Sequence, residues 1–260
     1  MQPSQHIWDS QQDPFGPIDK LVALWGGVVV PIFVENPKSK LAVDGLGSAF
    51  LLIDEDALYL VTALHVVQDA KRCVHQVGNF AGKAAHLGGL RFRTSPDHDV
   101  AVAHLSNEWL QRAGLERLKA LPATKSGEWQ ETEVHLLWGY PGTKNRLDQR
   151  FGRVDRQMLS ISTEFSPTSS VKTSILEALY IPYDHKNVIN SAQKKLGTQP
   201  ALQGMSGGPL IHVLKRRLSP LEEQFSVRCD GVLCEWHKGK RIVVASPMAA
   251  VTDLIRDHEI

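Results

Sequence analysis

The chain has 260 residues, 42% of them hydrophobic and 22% charged, with a formal net charge of +1. That balance excludes a disordered chain, and the near-neutral charge gives no electrostatic basis for specific nucleic-acid binding. The length suits one large β domain or two small barrels sharing a core.

Residues 1 to about 16 are rich in Gln, Ser, Asp and Pro without periodicity, and read as an extended arm leading into a short helix around Ile18 to Trp25. The arm lacks the basic start and apolar run of a signal peptide. Cys73, Cys229 and Cys234 cannot all pair within one chain, so the expected location is the cytoplasm. The longest uncharged apolar stretch, Leu21 to Phe33, is broken by Gly26, Gly27 and Pro31 and is too short to span a bilayer, so no membrane association is expected.

Short β-branched runs follow at Val28 to Val34, Ala49 to Ile53, Leu58 to Val61 and Val100 to Leu105, separated by turn residues such as Asp44-Gly45 and Asp54-Glu55-Asp56. Ser106 to Leu121 then shows an N-cap and Leu110, Leu115 and Leu118 near helical spacing, which predicts a helical connector. Strand signals resume at Glu133 to Trp138, Ile175 to Ile181, Pro209 to Leu214, Ser226 to Cys234 and Arg241 to Ala245. Ser246-Pro247 reads as N-cap and first residue of a closing helix with Met248, Val251, Leu254 and Ile255 on one face. The pattern predicts an all-β fold rather than a parallel α/β sheet. Lys215-Arg216-Arg217 and Lys194-Lys195 read as solvated loops.

Three segments carry chemistry. Gly204-Met205-Ser206-Gly207-Gly208-Pro209 surrounds a serine with glycines, which permit a sharp turn whose N–H groups can face a ligand. Val61-Thr62-Ala63-Leu64-His65 ends an apolar strand on a histidine, and Asp97-His98-Asp99-Val100-Ala101-Val102 puts an acid at the start of another. Each alone has an ordinary structural explanation: a turn, a core or surface histidine, a turn acid. Their co-occurrence in the order His, Asp, Ser is what points to nucleophilic catalysis.

Together the segments resemble the chymotrypsin/trypsin-like serine peptidases, whose signatures are Thr-Ala-x-His, Asp-[apolar]-Ala-[apolar] and Gly-x-Ser-Gly-Gly-Pro. The likeness extends to Gly47-Ser48-Ala49-Phe50, to Gly139-Tyr140-Pro141 and to the closing helix, over roughly residues 24 to 258, and is closer to bacterial, disulfide-free members. It implies two packed antiparallel six-stranded β-barrels. The arm and first helix would be residues 1–23, the barrel carrying His65 and Asp99 residues 24–105, and the connector residues 106–127. The barrel carrying Ser206 would be residues 128–245 and the C-terminal helix residues 246–260.

The resemblance implies a serine endopeptidase in which Ser206 attacks, His65 is the base, Asp99 orients the base, and the N–H groups of Gly204 and Ser206 stabilise the oxyanion. No cofactor is implied. Asp97 rivals Asp99 because it would face the same way on an extended strand, but Asp99 alone directly precedes the Val-Ala-Val run. The substrate pocket falls at Pro200 and at Cys234, Glu235 and Trp236; no acid stands at its deep position, which favours an uncharged P1 side chain, while Glu235 leaves a basic one open.

Val66 stands where secreted relatives have a cysteine, and Met205 where they have an acid. The second departure argues against activation by a new N-terminal ammonium, leaving an enzyme active as made or controlled by a regulatory partner. Three competing readings remain: a catalytically silent peptide-binding module, an α/β-hydrolase built on Gly-x-Ser-x-Gly, and a zinc site at Cys229, Cys234 and His237.

Overall fold

The computed structural model describes residues 6–8, 16–35, 43–70, 76–80, 82–115, 117–123, 129–142, 146–148, 153–155, 158–164, 171–183, 188–190, 195–197, 201–219 and 222–257. Strand β1 (His6–Trp8) and helix α1 (Gly16–Trp25) precede β2 (Val29–Glu35), β3 (Val43–Asp54) and β4 (Ala57–Ala63). Helix α2 (Leu64–Ala70) then leads to β5 (Gln76–Phe80), β6 (Lys83–His86), β7 (Phe92–Ser95) and β8 (Val100–His104). Helix α3 (Asn107–Arg112) and β9 (Leu121–Pro122) follow. The second half holds β10 (Gln130–Gly139), β11 (Arg146–Asp148), β12 (Arg153–Asp155), β13 (Leu159–Glu164), β14 (Leu179–Pro182), β15 (Val188–Asn190) and β16 (Lys195–Gly197). It closes with β17 (Pro209–Ser219), β18 (Glu222–His237), β19 (Ile242–Pro247) and helix α4 (Met248–Arg256).

Two large sheets result. The first runs β6-β5-β2-β3-β4-β8-β7, with β9 parallel to β3; the second runs β13-β10-β17-β18-β19-β14, with β1 on β18. Strands β11/β12 and β15/β16 form two small hairpins. All other ladders among the described residues are antiparallel, unlike the parallel α/β sheet that a nucleophile elbow requires. The centre of β3, Ala49 to Leu52, is buried at every residue, so its continuous apolar run is covered on both faces. One core cluster draws Phe50, Leu60 and Leu121 from the first sheet and Trp138, Ile211 and Val232 from the second. Each such side chain contributes about 1.5 to 3 kcal/mol by leaving water, and because the cluster crosses both sheets, that burial fixes one against the other. No helix among the described residues is long and apolar enough to cross a membrane.

Several sequence expectations shift. The expected connector helix is only α3: Ser106 Oγ accepts from the Trp109 N–H at 3.2 Å as a cap should, but Gly114 adopts φ +64° and the chain turns toward β9. The strand expected from Ile175 begins only at Leu179, because Glu177 sits in the left-handed region at φ +52°. Lys215, Arg216 and Arg217 lie on β17 rather than in a loop. Beyond the core, β17 and β18 continue as a ribbon, where Arg217 pairs in register with Glu223 and the Arg216 guanidinium lies 5.6 Å from the Trp129 ring centroid. Lys195 opens β16, and Lys194 lies outside the described residues. Helix α4 is preceded by Pro247 as N-cap, while Ser246 is buried at the end of β19.

Candidate active site

His65 is the second residue of α2 rather than the last of a strand. Strand β4 pairs with β8 as far as Ala63↔Val100, so the chain leaving β4 lies beside the residue preceding β8, which is Asp99. Three hydrogen bonds lock this junction. The Leu64 N–H donates to the Asp99 carbonyl at 2.9 Å, the His65 N–H donates to Asp99 Oδ1 at 3.0 Å, and His65 Nδ1 lies 2.7 Å from Asp99 Oδ2. One carboxylate therefore satisfies an orphan N–H of the first helical turn and holds the ring. A carboxylate oxygen only accepts, so Nδ1 carries the proton in this contact. The His65 side chain is 42% exposed and that of Asp99 19%.

Residues 96–98 form a 3₁₀ turn, not the extended strand on which Asp97 would have faced the same way as Asp99. Asp99 takes φ +51°, a left-handed conformation that Asp tolerates better than most residues. Asp97 is exposed, and its carbonyl accepts from the Leu176 N–H at 2.9 Å. His98 Nδ1 is bonded to Ser95 Oγ at 2.9 Å, and His104 lies beside the Tyr59 ring.

The Ser206 loop needs its glycines. Gly204 and Gly207 have φ +92° and +86°. A Cβ at Gly204 would lie 2.7 Å from Gly142 N, one at Gly207 2.0 Å from the Ser48 carbonyl oxygen, and one at Gly208 2.0 Å from that of Trp138. These are backbone atoms that cannot step aside. Gly207→Ala should therefore cost at least about 3 kcal/mol, combining left-handed strain with a backbone clash. Chemical denaturation beside wild type measures it, and a midpoint within error of wild type would contradict the packing described.

Ser48, fully buried on β3, ties this loop to both sheets and was not singled out in the sequence. Its N–H donates to the Ser206 carbonyl at 2.8 Å and its Oγ to the Gly204 carbonyl at 2.8 Å, while its Oγ accepts from the Tyr140 N–H at 2.9 Å. Its own carbonyl accepts from Thr62 Oγ1 at 2.7 Å. A polar side chain inside the otherwise apolar run Gly47-Ser48-Ala49-Phe50 was the available signal. The second sheet adds Gly207 N–H to the Leu233 carbonyl at 2.7 Å and Leu233 N–H to the Gly208 carbonyl at 2.8 Å. Among the described residues, the N–H groups of Gly204 and Ser206 have no acceptor.

The segments converge. A methyl on Gly47 would lie 2.7 Å from Val66 Cγ2 and 3.1 Å from the Ser206 carbonyl oxygen, so the residue after His65 and the serine backbone pack on one glycine. The register of β18 on β19 slips between Leu233 and Glu235, and this bulge turns the Cys234 carbonyl toward Ser206, whose Oγ donates to it at 3.1 Å. The Cys234 thiol reaches the Asp99 carbonyl at 3.7 Å. Burial, then the Asp99 charge, push that thiol up to about 12, so it is inert.

Of the expected pocket residues, Pro200 lies outside the described residues. Cys234, Glu235 and Trp236 do line a cavity with Ser206. Met205 is buried, with Gly139 packed on its side chain.

The zinc reading of Cys229, Cys234 and His237 is not supported: both thiols are buried along β18 and His237 Nε2 is bonded to Glu235 Oε2 at 2.7 Å. Ligand-type side chains instead meet at His135, His212 and Asp230. The two imidazoles are stacked with centroids 4.1 Å apart and planes at 28°, and each turns a nitrogen to Asp230 Oδ2, His135 Nε2 at 3.4 Å and His212 Nδ1 at 3.0 Å. Arg228 Nε also donates to Asp230 Oδ1 at 2.7 Å. This is an ion-pair network joining β10, β17 and β18. Burial pushes Asp230 up, but hydrogen bonds from His135, His212 and Arg228 outweigh it and hold the carboxyl far below its ordinary range. Burial likewise pushes His212 down, but Asp230 and the Thr132 carbonyl hold it above its ordinary value.

The raised His212 value contributes stability that is complete below the unfolded histidine pKa of about 6.5 and is lost as pH rises through the folded value. The depressed Asp230 contributes stability that is complete above about 3.9 and is lost as pH falls toward its folded value. Asp230→Asn should cost about 3 kcal/mol or more, and flatten the decline in stability on the alkaline side of pH 6.5. Thermal melts from pH 5 to 9 measure both, and an unchanged slope in the variant would contradict the linkage.

Residues 47–218, about two thirds of the chain, match the family model of the trypsin-like peptidase domain. No curated protein matches the chain by sequence. Among solved structures, the serine endoprotease of Yersinia pestis aligns with a TM-score of 0.51 and 17% identity over 92% of this chain and 66% of that one. This chain therefore spans just under two thirds of that protein, and the likeness is one of fold. A structure described for the coupled folding and binding of the intrinsically disordered Sesbania mosaic virus VPg protein is a weaker likeness, with a TM-score of 0.48 and 16% identity over 88% and 90% of the two chains. The two antiparallel sheets are consistent with a chymotrypsin-like fold, and by the family match the chain belongs to the trypsin-like peptidase domain family.

Proposed function

We propose that this chain is a serine endopeptidase that cleaves protein or peptide substrates through an acyl-enzyme intermediate. The observation that carries the reading is the double hold of Asp99 on His65, at 3.0 Å to its N–H and 2.7 Å to its ring. That hold orients the ring for Nε2 to act as the base.

In the proposed cycle the Ser206 hydroxyl turns from the Cys234 carbonyl to His65, Nε2 takes its proton, and Oγ bonds to the scissile carbonyl carbon. The Gly204 and Ser206 N–H groups receive the oxyanion, each worth about 3 to 4 kcal/mol when removed from such a site. Ser48, by holding the Gly204 carbonyl, sets the orientation of the adjoining peptide. His65 then gives its proton to the leaving amine as the C–N bond breaks. A water molecule repeats the sequence, restoring Ser206 and releasing the acid. The reaction needs no cofactor.

We read the two sheets as the two barrels of the resemblance, with the site at their contact. Met205, buried and uncharged, offers no partner for a new N-terminal ammonium, which supports a chain that is active as made or switched by a protein partner. The buried, unpaired thiols of Cys229 and Cys234 support a reducing, cytoplasmic setting. Incubation of the purified chain with a peptide library, read by mass spectrometry, tests the activity. Internal cleavage products are expected, and their absence under conditions where the chain is folded would count against it.

A further inference from the structure

Strands β4 and β8 pair from Ala63↔Val100, beside His65 and Asp99, to Tyr59↔His104, about 14 Å along the ladder. At that far end lie two cavities, of about 410 and about 880 Å³. Tyr59, His104, Ser106 and Ile255 line both, so the two form one groove, bordered by α3 and the end of α4.

The groove carries opposite charge at its two ends. The smaller cavity is lined by Arg91, Arg93 and Arg112 and by no acid. The larger is lined by Asp54, Glu55 and Asp56 against one guanidinium, that of Arg256. Asp54 pairs with Ala57, so Glu55 and Asp56 form the exposed turn between β3 and β4. Arg93 Nη1 donates to the Leu254 carbonyl at 2.9 Å. Among the described residues, the side chains of Arg91, Arg112, Asp54, Glu55 and Asp56 make no hydrogen bond or ion pair. Each end therefore gathers like charges that repel one another until an opposite charge is brought to them. The floor between the ends is apolar: Tyr59, Trp109 and Ile255 are buried, with Leu110 half-buried beside them.

We propose that this groove docks an extended segment of a partner protein that presents an acidic, a large apolar and a basic side chain in linear order. The acid meets Arg91 and Arg112, the apolar side chain covers Trp109 and Tyr59, and the base meets Asp54 to Asp56. Charge complementarity selects this occupant. A uniform polyanion is repelled by the carboxylates, a uniform polycation by the arginines, and an uncharged ligand leaves both ends unpaired. Guanidinium forks suit a carboxylate better than a point charge would. Asp56 stands about 10 Å of strand before Tyr59, and Arg112 about 9 Å of helix beyond Ser106. The charged ends are thus at most about 20 Å apart, a span of about six extended residues. The chemistry of the groove does not depend on the peptidase reading.

The test is a fluorescence anisotropy titration to about 1 mM peptide, in the weak range of affinity. The Ser206→Ala chain is used so that the probes stay whole. The probes are the blocked peptide Glu-Glu-Ala-Phe-Ala-Lys-Lys, its reversal, and analogues with four Glu, with four Lys, or with Ala for Phe. One direction of the bipolar peptide should saturate, and bind about 10-fold tighter than either uniformly charged analogue and than the Ala analogue. Hydrogen exchange of the same complex should show protection at residues 90–93 and in α3. Arg91→Glu with Arg112→Glu, or Asp54→Lys with Asp56→Lys, should each weaken binding by about 10-fold. All four substitutions together should invert the preference between the peptide and its reversal. Failure of both bipolar peptides to saturate, equal binding of a uniform analogue, or protection confined to other segments would overturn the inference whether or not the variants fold. Folded variants of unchanged affinity would overturn it as well.

Discussion

Ser206→Ala should abolish turnover while leaving the fold in place. Loss of the nucleophile from a serine peptidase lowers kcat by roughly 10⁶-fold, because the remaining histidine has no hydroxyl to activate and only transition-state binding survives. The structural cost is small. Among the described residues the hydroxyl makes one bond, to the Cys234 carbonyl at 3.1 Å, while the loop is held by backbone contacts that alanine keeps, from Ser48 to the Ser206 carbonyl and from Gly207 to Leu233. Unfolding should shift by about 1 kcal/mol. Peptide cleavage and a denaturation curve on the same preparation separate the two effects. Cleavage near the wild-type rate, in protein free of contaminating peptidase, would remove Ser206 from the mechanism.

The second large effect is at Asp99. Asp99→Asn should lower kcat by about 10⁴-fold, the loss seen when the acid of such a triad becomes an amide. The amide would place an N–H₂ or a weaker acceptor against Nδ1, and an N–H₂ there forces the proton onto Nε2, where it blocks the serine. Asp99 also accepts the His65 N–H at 3.0 Å, so part of the loss is of position rather than tautomer. Asp97→Asn should change kcat less than about twofold, as expected of an exposed side chain with no contact to the ring. A pH–rate profile distinguishes the roles, since only the Asp99 variant should shift the histidine limb. The reverse ranking would transfer the role to Asp97.

The catalytic candidates were legible in the sequence because their chemistry is local. Gly204, Gly207 and Gly208 are required by backbone approach, and Asp99 is marked by the Val-Ala-Val strand it opens. What the sequence hid depends on distant segments. Asp97 and Asp99 could not be separated while residues 96–98 were taken as extended, since the turn that splays them apart is closed by a 3₁₀ bond. Ser48 carried no period or spacing that foretold its bonds to a loop more than 150 residues away. His135 and Asp230 come together only through the β10–β17–β18 register. The Lys215 to Arg217 cluster read as loop because charge usually marks solvent, whereas it lies on β17 and is paired with β18, which also carries β1. Likewise, Leu115 and Leu118 kept helical spacing past Gly114, where the left-handed backbone ends the helix.

Ser206, His65 and Asp99 are proposed to form one working unit in the intact chain. Incubating the intact protein with a fluorophosphonate probe and locating the adduct by tryptic mass spectrometry tests it most directly. A single adduct on Ser206 is expected, with residue 1 still present at the N-terminus, and none in His65→Ala. Folded protein that never labels, or that labels equally well without His65, would contradict it.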